Sequence, residues 1–397
     1  MSEFDPHRIA RLRESIDAHV EQDHVGGVAW LMAKGDDVQV GVAGALTRGE
    51  PALVARDSIF RISSMTKPIT AVAALILVEE YKLRLEDPVD ALLPELADRR
   101  VLVDPHGPID GDTVAAQRPI TLYDVLTFRL GMGMDFAAPW PQAFLDALGE
   151  LELEIAGPPE PQVPPPPDEW MRRLSTLPLL YQPGERWLYN TGADVLGVLI
   201  ARAAGQPLDE FLRDRVFTPL GMVDTGFVGD VDRLGSCYGT APTGERSVLD
   251  APDGQWAKPP AFPSGAAGLV STVDDLHAFG RMLLSGGRTP DGSRLLSRAS
   301  IDAMTIDHID VLGGASGPRP DGAQGWGFGV GVQVRRTGLA PTIGTYGWAG
   351  GMGSSWANDP SNDLVGVLLT TDAFAGPFSP PAVLQDFWTG AYSALVR

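Results

Sequence analysis

Hydrophobic and polar positions divide the chain into runs of two periods. The stretch MSEFDPHRIARLRES carries no apolar leader core and reads as the start of an amphipathic helix over 6–22. Residues 26–33 (GGVAWLMA) and 38–43 (VQVGVA) are short apolar runs about a Lys34-Gly35-Asp36-Asp37 turn, which predicts a β-hairpin. Residues 65–82 read as a helix, with Pro68 tolerated because it falls in the first turn. Amphipathic helices are expected at 207–217 and 273–285, β-type runs at 328–336, 343–349, 353–358 and 364–371, and a closing helix at 382–396. Strands therefore sit in both outer parts of the chain with helices between. The economical fold is α/β (α+β), one sheet built from both parts (1–70 and 265–397) with a mainly helical lobe inserted at 71–264. Within that lobe GPPEPQVPPPP (157–167) is stiff and extended, and reads as a surface loop overhanging a site.

Composition narrows the partners. Thirty-one basic against 51 acidic residues give a formal charge of −20. Such a surface repels phosphate backbones and anionic lipid, so neither nucleic acid nor membrane is expected as a partner. The most apolar run, Ala71 to Val78, is too short to span a bilayer. Cys237 is the one cysteine, which rules out an intrachain disulfide and suits a reducing compartment. A cytoplasmic location is the expectation.

One motif carries chemistry. Ser64-Met65-Thr66-Lys67 is an S-x-x-K element opening the helix that continues through AVAALILVEE. Residues three apart share a helix face, so hydroxyl and amine can meet. A serine hydroxyl needs a base to become a nucleophile, and burial would depress the lysine enough to serve. The chain holds only four lysines, so about 0.2 chance matches to the motif are expected. Taken alone, the motif leaves a second reading open: a helix N-cap serine beside a solvated lysine.

The surroundings extend the motif. Phe60–Pro68 with Leu85-Glu86-Asp87-Pro88-Val89, Pro183-Gly184-Glu185-Arg186-Trp187-Leu188-Tyr189, Pro219-Leu220-Gly221-Met222-Val223-Asp224-Thr225, Gly265-Ala266-Ala267-Gly268-Leu269 with Asp274-Asp275-Leu276, and Trp348-Ala349-Gly350-Gly351 occur in that order. Together they resemble the penicillin-recognising serine hydrolase superfamily, which includes class C β-lactamases, D-Ala-D-Ala peptidases and family VIII carboxylesterases. The resemblance implies a β-lactamase/transpeptidase-like fold and a metal-free, cofactor-free acyl-enzyme mechanism. It implies Ser64 as nucleophile, Lys67 as base or relay, and Tyr189 as second proton shuttle, its phenolate favoured by lysine charge. It further implies an oxyanion hole from the N–H groups of Ser64 and Gly351, and a substrate pocket flanked by Trp348, Ala349 and Gly350, with Thr191 of the tyrosine motif also expected at the substrate.

Two departures from the family pattern bear on substrate. The tyrosine motif reads Tyr189-Asn190-Thr191, with Thr191 where relatives place asparagine, which weakens amide recognition. Trp348 stands where peptidases and β-lactamases place Lys or His, and offers a flat apolar wall with one N–H instead of a cation. Both point to a small neutral ester, hence a serine carboxylesterase. β-Lactamase, D-amino-acid peptidase or amidase, acyltransferase, and a catalytically silent binding protein are the alternatives. A third departure, Thr127–Gly133 in place of His-x-Ser-Gly, leaves Arg129 either to bind a substrate acid or to form a structural ion pair. Trp30 and Trp388 are expected in the core; Trp140, Trp187, Trp348 and Trp356 are candidates for an apolar acyl pocket. The glycine-rich Gly325–Gly331 is expected to be a single strand, not a phosphate loop, for want of a following helix and lysine.

Overall fold

The computed structural model describes residues 2–136, 142–153, 157–241, 243–376 and 381–396. The predicted hairpin forms from β1 (Gly27–Lys34) and β2 (Asp37–Gly44), joined through Gly35 at a φ of 56°. Glycine takes that left-handed conformation without a Cβ penalty.

Five further strands complete the sheet: β3 (Gln324–Trp326), β4 (Gly331–Gln333), β5 (Tyr346–Gly350), β6 (Ser354–Asp359) and β7 (Leu364–Thr370). Their order is β2-β1-β7-β6-β5-β4-β3, antiparallel throughout. Strand β1, early in the chain, thus lies between β2 and β7, with Trp30 opposite Leu368. The glycine-rich segment differs from the single strand expected. It is two strands reversed at Gly327–Val330, because Gly329 (φ 70°) must pack on a helix where a Cβ would come 2.8 Å from that of Ala71.

The sheet is covered on both faces, which explains why its central strands read as unbroken apolar runs and not as alternating ones. Val28, Trp30 and Met32 face helices α1 (Pro6–Glu21) and α5 (Ala382–Ala394). Ala29, Leu31 and Ala33 belong to the larger core on the other face, with α2 (Thr66–Glu79), α3 (Thr191–Ala204) and α4 (Val273–Leu284). Helix α2 is buried on nearly every side, so its AVAALILV run is core and not an amphipathic stripe. Burial of each large aliphatic side chain there stabilises by about 1.5–3 kcal/mol. Pro68 sits in the first turn, where its missing N–H has no intrahelical acceptor to lose. The stretch 207–217 is helical but not uniform: Leu208–Leu212 is α, and Arg213–Phe217 widens into a π-turn. No helix among the described residues is long and apolar enough to cross a membrane.

Strand β4 meets β5 only at Gly331–Gly347 and Val332–Tyr346. Beyond that point the edge of β5, carrying Trp348, Ala349 and Gly350, faces the start of α2.

Candidate active site

Ser64 lies in the tight turn Ser63–Met65 that leads into α2, with Ser63 held at a φ of 44°. A non-glycine residue in that region is strained and persists only where its surroundings fix it. Here the surroundings are β5 and β6. Ser354 Oγ donates to the Ile62 carbonyl at 2.9 Å, and a Cβ on Gly350 would lie 2.2 Å from that carbonyl oxygen. Gly350 is therefore the residue that lets the strand close on the nucleophile turn.

Lys67 follows one helical turn later and is 1% exposed. Its Nζ lies 3.0 Å from Ser64 Oγ and 2.9 Å from the carbonyl oxygen of Ala266. The alternative of a capping serine beside a solvated lysine is overturned. Ser64 makes no capping bond, and the amine is enclosed. Burial drives the Lys67 amine well below its usual value, against the opposing pull of the Asp194 charge. Asp194, also enclosed, is pushed up by burial, while Ser264, Lys67 and the Ala266 N–H oppose that shift.

Tyr189 completes the group but not in the manner expected. Lys67 Nζ sits over its ring face, 4.4 Å from the centroid. Burial pushes the phenol above its ordinary value, moderated by hydrogen bonds with Ser64 and Trp348. Burial thus favours the phenol over the phenolate. Trp348 Nε1–H donates to its oxygen at 2.7 Å, so the indole's donor serves the protein and leaves only its face for a ligand.

The segment 127–134 builds the support for this tyrosine. Phe128 O accepts from Leu188 N, and Met134 and Tyr189 exchange backbone hydrogen bonds at 2.8 and 2.7 Å. Phe128, Trp187, Trp326 and Trp348 pack round the phenol, with Trp326 edge-on to Trp348 at 4.7 Å. Arg129 follows neither expectation. It stacks over Tyr123 and donates to Thr127 Oγ1, with no carboxylate partner among the described ion pairs.

A cleft of about 1120 Å³ opens over Ser64. Trp348, Ala349 and Gly351 line it as the resemblance implied. Gly350 does not, because it is turned into the Ile62 contact, and Thr191 does not, because it is wholly buried at the start of α3. Asn190 stands on the wall instead. At φ 83° and ψ −65° it is the centre of a γ-turn in which Thr191 N donates to Tyr189 O, a rare and strained form. The turn offsets the one-residue displacement seen in the sequence, so that Asn190, although largely buried, stands on the cleft wall. Pro158, Pro159, Pro161 and Pro164 form the opposite lip, tied down where Gln162 bonds Gln255 and Lys258. Trp30 is core, whereas Trp388 reaches the cleft; Trp187 lies behind Tyr189; Trp140 falls outside the described residues.

Trp187 and Trp348 were expected near the pocket from the sequence, whereas Asp194, Phe128 and Trp326 were not. For Asp194 a signal existed: it is a single acid in the otherwise apolar first turns of TGADVLGVLI. The cluster draws on residues some 200 positions apart and has no local signature.

A sheet closed by strands from two distant parts of the chain, with an S-x-x-K helix lodged at its edge, is the β-lactamase/transpeptidase-like fold. The chain belongs to the Beta-lactamase family, a family of serine hydrolases whose profile matches residues 12–384. Protein Rv1367c of Mycobacterium tuberculosis is 36% identical over 370 residues, 91% of this chain and 88% of that protein. Esterase EstB of Burkholderia gladioli is 31% identical over 396 residues, covering 92% of this chain and 91% of its own. The solved structure of EstCE1, described as a hydrolase with promiscuous acyltransferase activity, superimposes with a TM-score of 0.78 at 25% identity, covering 97% of this chain and 99% of that one.

Proposed function

We propose that the protein hydrolyses neutral carboxylic esters through an acyl-enzyme on Ser64. The observation that carries this reading is the enclosed Lys67 amine, 3.0 Å from Ser64 Oγ and depressed by burial. A neutral amine has two hydrogens and one lone pair. In the structure Nζ donates both to the Ala266 carbonyl and to Ser64 Oγ; as the free amine it keeps the Ala266 bond and turns its lone pair to the Ser64 hydroxyl. Lys67 then removes the Ser64 proton as Oγ attacks the ester carbonyl. The N–H groups of Ser64 and Gly351 receive the oxyanion, a contribution of about 10²–10³ in rate per donor. Tyr189, held as a phenol, protonates the departing alkoxide. Water then attacks the acyl-enzyme, giving its proton to the Tyr189 oxygen left deprotonated by the first step, while the Lys67 ammonium returns the proton to Ser64 Oγ as the acyl bond breaks, so the acid leaves and both groups are reset.

Neutral substrate is favoured by the cleft's charges. Arg319 is the one basic side chain among its described lining residues, and it is paired with Asp321. A free carboxylate would find no unpaired cation there. The name of Esterase EstB supports ester hydrolysis in general.

Acyl transfer to an alcohol is the second reading. The cleft exceeds what a short acyl group fills, leaving room for an acceptor beside the acyl-enzyme, and EstCE1 carries that activity in its description. A fluorophosphonate probe followed by intact mass tests the common step: an adduct on Ser64 is expected, and its absence in folded protein removes both readings and leaves a binding protein. Nitrophenyl butyrate turned over faster than a chromogenic cephalosporin supports the ester. The reverse order overturns it in favour of the amide-directed relatives, for which Asn190 on the wall supplies a contact.

A further inference from the structure

Asp194 lies five residues beyond Tyr189, in the first turns of α3, and is 4% exposed. It is not within the Ser64–Lys67–Tyr189 group and touches none of the reacting atoms. Its Oδ1 accepts from Ser264 Oγ at 2.6 Å and from Ala266 N at 3.2 Å. Ser264 Oγ in turn accepts from the N–H groups of Ala266 and Ala267. The carboxylate is therefore the anchor of a small turn whose outward product is one carbonyl, that of Ala266, 2.9 Å from Lys67 Nζ. Helix N-terminal turns favour a carboxylate, which helps to keep the anchor charged in a buried place.

We infer that Asp194 is a positioning residue: by fixing the Ser264–Ala267 turn it aims the Ala266 carbonyl at Lys67, and so directs the amine's lone pair at Ser64 Oγ. This rests on the acyl-enzyme reading of Ser64. If Ala266 swung away, Nζ would lose one of its two hydrogen-bond partners, and the amine would rotate freely about its terminal bond. The cost falls on the chemical step and not on binding, because neither Asp194 nor Ala266 holds the ester in place by charge.

The carboxylate has a second effect at the same group. Among the described residues, two titratable groups face Lys67: Tyr189 beneath the amine, and Asp194. Tyr189 is a phenol and contributes no charge in the working range. Asp194 is thus the charge that resists the burial of Lys67, holding its value higher than burial alone would.

Charge and anchorage separate by mutation. Asp194→Asn keeps an oxygen acceptor for Ser264 and Ala266 but removes the charge. Ser264→Ala keeps the charge but releases the turn. In Asp194→Asn the acidic limb of the kcat/KM profile on nitrophenyl butyrate is expected to move to lower pH by at least half a unit. In Ser264→Ala the limb is expected to stay, while plateau kcat falls about tenfold with KM changed less than threefold. An unmoved limb in folded Asp194→Asn, or an unchanged plateau kcat in folded Ser264→Ala, overturns the inference. Should Asp194→Asn fail to fold, as judged by thermal melting, Ser264→Ala alone decides the positioning role. Fluorophosphonate labelling of the wild type runs alongside. Labelled Ser64 with unresponsive variants removes only this inference; unlabelled Ser64 removes the acyl-enzyme reading beneath it.

Discussion

Trp348 and Tyr189 form a donor–acceptor pair, indole N–H to phenol oxygen at 2.7 Å. The bond stabilises negative charge on the phenol oxygen and so opposes the rise that burial causes. Trp348→Phe keeps the wall and removes the donor. A hydrogen bond to a buried oxygen that develops charge is worth about 1.5–3 kcal/mol, so kcat is expected to fall about 10- to 100-fold with KM little changed. Steady-state kinetics on a nitrophenyl ester checks this; an unchanged kcat would reduce Trp348 to a wall.

The pH profile follows from two shifts of opposite sign. Lys67 works as the free amine, and burial lowers its value, so kcat/KM rises as pH rises through that depressed value. Tyr189 works as the phenol, and burial raises its value, so it imposes no falling limb until pH exceeds the ordinary 10.0. The expected curve is a rise to a long alkaline plateau. A fall between pH 8 and 9 at intact fold would count against Tyr189 as the proton donor.

The same lysine weighs on stability. Its folded value lies below its unfolded 10.5, so its favourable contribution is complete above the unfolded value and is lost as pH falls through the depressed one. Near neutral pH a methionine of similar length removes that burden, while loss of the Lys67 charge pushes the Asp194 carboxyl further up toward its neutral form. Lys67→Met is expected to match or exceed the wild-type melting temperature at pH 6 and to lose activity at least about 100-fold. Thermal melts at pH 6 and pH 9 measure the difference; a variant less stable at pH 6 than at pH 9, relative to wild type, contradicts the sign.

Gly350 tests the join between strand and nucleophile turn. Gly350→Ala places a methyl 2.2 Å from the Ile62 carbonyl oxygen and 2.3 Å from Ser354 Oγ. Overpacking against backbone costs about 1–3 kcal/mol, read as a lower urea midpoint. The displaced turn carries Ser64 with it, so fluorophosphonate labelling should slow in the same variant.

Asn190→Gly relieves the strained γ-turn beside Tyr189. Glycine accepts a φ of 83° freely, so a urea titration sets the relief of about 1–3 kcal/mol of backbone strain against the loss of the Asn190 side chain's own contacts. Loss of the amide should leave turnover of a simple ester nearly unchanged. It should lower any residual turnover of a cephalosporin.

The sequence disclosed elements and chemistry unequally. Helices 6–22 and 273–285 and the hairpin at 26–43 were legible because local periodicity alone specifies them, and the structure places them at Pro6–Glu21, Val273–Leu284 and Gly27–Gly44. Ser64, Lys67 and Tyr189 were legible from motifs, and they do converge. The place of Asn190 on the cleft wall was hidden because it depends on one positive φ, which leaves no trace in residue type when asparagine already tolerates it. The split of Gly325–Gly331 into two strands depends on Gly329 meeting α2, a contact between segments some 260 residues apart. Asp194 escaped notice because its partners, Ser264 and Ala266, lie some 70 residues away.

The interior place of β1 in the sheet sets a timetable for synthesis. Both its neighbours are needed to satisfy its backbone, but β2 is made at once and β7 only with residues 364–370. At about 5–20 residues per second, the interval between them is on the order of tens of seconds. Throughout it, Val28, Trp30 and Met32 on one side and Ala29, Leu31 and Ala33 on the other have no completed sheet beside them. An unpaired edge with two sticky faces is a template for association with other chains. Shielding of the nascent hairpin until β7 arrives is therefore expected to matter for production: slow, cool expression or co-produced chaperones should raise the soluble fraction, as measured by the soluble share of total protein.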